Sequence, residues 1–105
     1  MTDFIQIQTT YPDEASALAA ARLLVEQHIV ACAQVTSKIR SIYIWEDKQE
    51  EETEYLCLMK TKQENFDHAA KTIRQTHPYK CPQIIAIPIT EVTTDYAEWM
   101  SQLLD

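Results

Sequence analysis

Ile39-Arg40-Ser41-Ile42-Tyr43-Ile44-Trp45-Glu46-Asp47-Lys48 runs on, past Glu50-Glu51-Glu52, to Glu54-Tyr55-Leu56-Cys57-Leu58-Met59-Lys60-Thr61-Lys62, and the fold turns on how this stretch is read. Side chains alternate across an extended chain. Ser41, Tyr43 and Trp45 therefore share one face of Ile39–Trp45, and Ile42 and Ile44 share the other. On the return segment, Tyr55, Cys57 and Met59 oppose Leu56, Leu58 and Lys60. Two alternating runs joined by a polar stretch predict a long hairpin, with Asp47-Lys48-Gln49 as its turn. The acidic residues Glu46, Asp47, Glu50, Glu51, Glu52 and Glu54 read as a solvated tip, with a weak cation-collecting rim as the functional alternative.

Outward from the hairpin, the pattern changes period. Phe4, Ile5 and Ile7 begin a strand ending near Thr10. Pro12-Asp13-Glu14 then opens a helix, since proline is tolerated in a first turn and acids suit the positive end of the dipole. Leu18, Ala21, Leu24, Val25 and His28 give that helix an inner face. Ile29–Val35 is a short apolar strand carrying Cys32. After the hairpin, Gln63 or Asn65 opens a second helix with the stripe Phe66, Ala69, Ala70 and Ile73. It stops near Thr76 because Pro78 disfavours helix before it. Ile84–Ile89 is the next strand. Asp95 caps a last helix with Tyr96, Trp99, Met100 and Leu103 turned inward. The order predicts an α+β chain: a ferredoxin-like split β-α-β sandwich with an antiparallel sheet, a long hairpin and a short C-terminal helix.

With 105 residues the chain is expected to be one domain, 1–105, with a modest core. Its net charge of −7 argues against nucleic acid and anionic membranes as partners. Cys32, Cys57 and Cys81 form no C-x-x-C pair, which argues against a disulfide framework or a structural zinc site. No apolar leader follows Met1 and no run reaches a membrane-spanning length, so a cytoplasmic location is expected. The chain has no glycine. That removes glycine-dependent phosphate loops, dinucleotide fingerprints and the G-x-S-x-G elbow. Any left-handed turn position must then be filled by a residue that carries a Cβ.

His77-Pro78-Tyr79-Lys80-Cys81-Pro82 places an imidazole and a phenol on backbone stiffened by two prolines. Together with Ala31-Cys32-Ala33, Ser41–Lys48, Met59-Lys60-Thr61 and the pair Tyr96 and Trp99, this segment resembles the CutA family of divalent cation tolerance proteins. The resemblance covers roughly residues 4 to 104 and implies the same ferredoxin-like fold. The family's copper ligand set falls on Thr9, Thr76 and His77, of which only His77 is a ligand type. The chain also carries Lys80 where the family usually has an acid, and Asp47 where it has a turn glycine.

Both faces of the hairpin are apolar, and one set of helices cannot cover both. Burying several hundred Å² per chain contributes about ten kcal/mol before association costs, so a second copy is expected to cover what the helices leave. The resemblance implies a homotrimer, and a dimer through the same face is the alternative. In a trimer, Tyr43, Trp45, Glu46, Lys60, His77, Tyr79 and Tyr96 are the candidates for an inter-subunit cleft. Such a cleft would take a small ligand, or hold Cu²⁺ or another divalent metal weakly, with His77 and Cys81 as the metal candidates. No catalytic residue is assigned. Two other classes stay open: a structural scaffold for a partner protein, and an enzyme using His77 as acid or base.

Overall fold

The computed structural model describes residues 2–104. Its first strand, β1 (Phe4–Tyr11), buries Ile5, Ile7, Thr9 and Tyr11 on one face, the period of two that the sequence carries. Helix α1 (Glu14–Glu26) follows. Asp13 caps it, its carboxylate accepting from the Ser16 amide at 2.7 Å. Ala17, Ala20, Ala21 and Leu24 are its buried face, and three of the four are alanine, so the helix lies close to the sheet.

Val25 and His28, expected to face inward, are exposed. The reason is the helix terminus. His28 sits at φ 59, the left-handed position after a helix that glycine usually fills. The amides of His28 and Ile29 donate back to the carbonyls of Val25 and Leu24, both at 3.0 Å. The His28 ring is thereby turned to the Leu103 carbonyl, 2.9 Å from Nδ1.

Strand β2 (Cys32–Trp45) fuses the two expected segments into one, and β3 (Lys48–Lys62) is longer than Glu54–Lys62. The sheet runs β2-β3-β1-β4, with every pairing antiparallel. The hairpin turn is Glu46-Asp47, both left-handed at φ 49 and 67, and Trp45 pairs with Lys48 to close it. Two left-handed residues mark the two-residue turn whose twist suits paired strands. Lys48, Gln49, Glu50, Glu51 and Glu52 are therefore strand, paired with Trp45, Ile44, Tyr43, Ile42 and Ser41, and only Glu46 and Asp47 form the tip.

The register slips between Val35 and Lys38, where Thr36 and Ser37 oppose Leu56 alone. The Thr36 hydroxyl accepts from the Leu56 amide at 3.1 Å, replacing the lost ladder bond. Before this bulge, odd-numbered β2 residues such as Ala33 and Val35 pack on the core. After it, odd-numbered Ile39, Ser41, Tyr43 and Trp45 share the face of Glu54, Glu52 and Glu50, away from the helices. Beyond Tyr11↔Tyr55 no third strand among the described residues supports the hairpin. It projects as a two-stranded arm on a molecule measuring 45 × 26 × 24 Å.

A 3₁₀ turn (Gln63–Asn65) leads into α2 (Phe66–Thr76), which buries Ala69 and Ile73. Ile5, Ile7, Cys57 and Met59 meet the buried residues of α1 and α2 in one core. Strand β4 (Ile85–Pro88) is an edge strand of four residues, shorter than the expected Ile84–Ile89. Pro88 has no amide to continue the ladder. Helix α3 (Thr94–Leu103) places Met100 in a second small core with Phe4 and Ala31. Tyr96 and Trp99, expected inside, are 37% and 44% exposed. Asp95 is not the cap. Thr93 holds that position, and Asp95 lies in the first turn, accepting from the Tyr96 amide at 2.8 Å. The Thr93 side chain and that amide hold its carboxyl below the usual range.

Candidate functional site

Proline sets the site. The residue before proline is driven out of helix, and His77 accordingly ends α2 at φ −72, ψ 134. The chain turns there and carries residues 78–83 past the base of the arm. Between this segment and the arm lies a cavity of about 650 Å³. Ser41, Tyr43, Trp45 and Glu54 line it from the arm, and Tyr79 and Cys81 from the loop.

His77, expected in the cleft, does not line the cavity; it lies behind Tyr79, which does. The His77 ring stacks on Tyr11, with centroids 4.2 Å apart, and tilts against Tyr79 at 5.0 Å. Nε2–H donates to the Thr10 carbonyl at 2.8 Å, while Nδ1 accepts from the Tyr79 amide at 3.1 Å. One donor and one acceptor define the neutral ring. Burial lowers its pKa, outweighing the Thr10 carbonyl and the Glu54 charge, which both raise it.

Glu54 is buried at 6% exposed. The Tyr79 hydroxyl donates to its Oε2 at 2.8 Å. Burial and this bond push the Tyr79 phenol well above its ordinary range. Desolvation, then the charges of Glu52, Glu54 and Glu50, push Tyr43 up as well.

Of the sequence-derived candidates, Tyr43, Trp45, Tyr79 and Cys81 meet in the one cavity within a single chain. Lys60 and Tyr96 lie elsewhere. Lys60 Nζ donates to Gln34 Oε1 at 2.9 Å, and Lys60 pairs in register with Cys32. Cys32 Sγ lies 3.5 Å from the Tyr96 hydroxyl, which it pushes up to about 12, with some help from burial. Glu46 is in the hairpin turn. Glu54 enters the sequence reading only as one of the acidic run, not as a cleft residue. Its hydrogen-bond partner, Tyr79, is 25 residues away, and no local pattern marks it.

The family's copper positions do not fit a metal here. Thr9 Oγ1 is buried on the helix-covered face, Thr76 ends α2, and both His77 nitrogens are engaged. Among the described residues no group of three His, Cys, Asp or Glu side chains is placed to hold an ion. Thr9 Oγ1 and Tyr11 Oη lack a partner at hydrogen-bonding geometry, although Thr9 is near enough to temper the rise that burial and Cys57 impose on the Tyr11 phenol.

Residues 5–103 match the family described as CutA1 divalent ion tolerance protein. The chain is 34% identical to the divalent-cation tolerance protein CutA of Pyrococcus horikoshii, over 91% of this chain and 93% of that one. It superposes on the crystal structure of CutA from Xylella fastidiosa with a TM-score of 0.95, at 30% identity, covering 99% of this chain and 100% of the other. The corresponding protein of Archaeoglobus fulgidus, described as periplasmic, gives 0.94 at 29% identity over 97% and 99%. No described helix is long and apolar enough to cross a membrane. On sequence and on fold alike, this chain belongs to the CutA1 divalent ion tolerance family.

Proposed function

We propose that the chain is a binding protein of the divalent cation response, that it works as a homotrimer in the cytoplasm, and that it takes a small ligand at clefts where the arm meets the loop of residues 78–83. The observation that carries the reading is the cavity. At about 650 Å³, with aromatic walls and a few polar groups, it has the size and composition of a small-molecule site.

Assembly has separate support. Ile42 and Ile44 on the arm are 62% and 67% exposed, and Ile85 and Ile87 on the edge strand are 44% and 42% exposed. Apolar area on this scale favours a partner, and a threefold ring would let one chain's arm reach its neighbour. Three unpaired thiols suit a reducing compartment, and the charge of −7 suits neither nucleic acid nor anionic lipid.

Native mass spectrometry at micromolar concentration tests the assembly. Three times the 12.2 kDa chain mass is expected. A monomer, or a pair, overturns it.

Weak binding of a soft divalent ion is a second reading, and Cys81 favours it as an exposed thiol on the cavity that also holds Glu54. Calorimetry with Cu²⁺ on the wild type and Cys81→Ser tests it. Equal affinity in the two would place the ion elsewhere.

A further inference from the structure

Glu54 is a buried carboxylate without a cation. No described Lys or Arg pairs with it, and the Tyr79 hydroxyl engages only Oε2. Oε1 accepts from no described residue, and Glu54 lines the cavity. Charged side chains buried this far are normally paired. The missing counter-charge belongs to whatever fills the space.

The neighbours narrow its chemistry. Glu52 and Glu50 follow Glu54 along the same strand face, opposite Ser41 and Tyr43. Against them stand Lys80, exposed on the cavity's lining, and Lys48, opposite Trp45 near the turn. An anion would meet the Glu54 carboxylate on the lining, with the charges of Glu52 and Glu50 near Tyr43 adding to the repulsion. A neutral apolar guest would leave Oε1 desolvated and unpaired, which is costly. A hard divalent ion needs six or more oxygens, and one buried carboxylate does not supply them. Aromatic rings, in contrast, attract weakly hydrated organic cations.

We infer that this cavity takes a small organic cation carrying a substituted ammonium group, with Glu54 as counter-ion and Tyr43, Trp45 and Tyr79 as the aromatic enclosure. The inference rests on the proposed small-ligand cleft and deepens it by naming the ligand's class.

Tetramethylammonium chloride is the probe, followed through the amide resonances of residues 43–45 and 79–81. Sodium chloride at equal ionic strength and tert-butanol, a neutral molecule of the same shape, are the controls. Saturable shifts with tetramethylammonium alone are expected. Affinity should fall at least tenfold in Glu54→Gln, and also in Trp45→Ala, whose half-exposed ring makes loss of fold no explanation. Undiminished binding in Glu54→Gln, with a native amide spectrum, overturns the inference. So does equal binding of tert-butanol, which would leave the cavity a ligand site without a charge preference. A lysine of another protein would present a similar group. Tighter binding of Nα-acetyl-lysine amide than of tetramethylammonium therefore overturns the free-ligand assignment. The trimer is read separately by native mass, so three copies without ammonium binding sink this inference and leave the assembly standing.

Discussion

The imidazole of His77 lies nearly flat on the phenol of Tyr11, centroids 4.2 Å and planes 22° apart. This contact clamps the end of α2 to the end of β1 and so fixes where the loop of residues 78–83 starts. The ring is neutral there, and burial holds its pKa below the ordinary 6.5. A group with a depressed folded pKa gives stability that is present above the unfolded value and lost as pH falls towards the folded one. Urea midpoints of the wild type should therefore drop as pH falls from about 6.5 towards that lower value, by more than those of His77→Phe. Parallel pH profiles for the two proteins would refute this.

Removing the Tyr79 hydroxyl leaves Glu54 with no donor among the described residues. Tyr79→Phe should cost about 1.5–3 kcal/mol, the usual contribution of a hydrogen bond to a charged group. Combined with Glu54→Gln the cost should shrink, because the amide demands less than the carboxylate. Strictly additive unfolding free energies would show that the 2.8 Å contact does not couple the two side chains.

Asp47 and Glu46 hold left-handed backbone without glycine. Asp47→Gly should stabilise the hairpin by about 0.5–1 kcal/mol, since the Cβ penalty disappears. A lower thermal midpoint for the variant would contradict the turn geometry.

Burial pushes the Cys57 thiol up to about 12, whereas Cys81 is exposed. Thiolate is the reacting form. At pH 8, iodoacetamide should modify Cys81 well before Cys57, and Cys57 only on unfolding. Peptide mapping of partly labelled protein checks the order, and early labelling of Cys57 would contradict its burial.

Much of the fold is legible in short-range periodicity. Phe4, Ile5 and Ile7 of β1 are buried, and so are Ala21 and Leu24 of the face expected for α1, whereas Leu18 is only half-buried and the helix turns Ala17 and Ala20 inward instead. What stays hidden depends on contacts far apart in the chain. His28 continues the helical spacing of α1, yet it serves as the left-handed cap because the next amides return to Val25 and Leu24. Tyr96 and Trp99 follow an inward stripe on α3, but the second core has depth only for Met100. In the cavity, the rings are conspicuous in sequence and Glu54 is not, since it resembles its exposed neighbours in the acidic run.

Thr36 and Ser37 shift the frame in which β2 is read. Up to Val35 the odd positions answer to the interior; from Ile39 they answer to whatever approaches from outside. Evolution can therefore retune the outer aromatic set, Tyr43 and Trp45, without disturbing the inner one. Losing a single residue at 36–37 would close the bulge into a regular ladder, with Val35 still opposite Cys57 and Lys38 opposite Tyr55, so Tyr43 and Trp45 would keep their side of the arm and only the local twist would go.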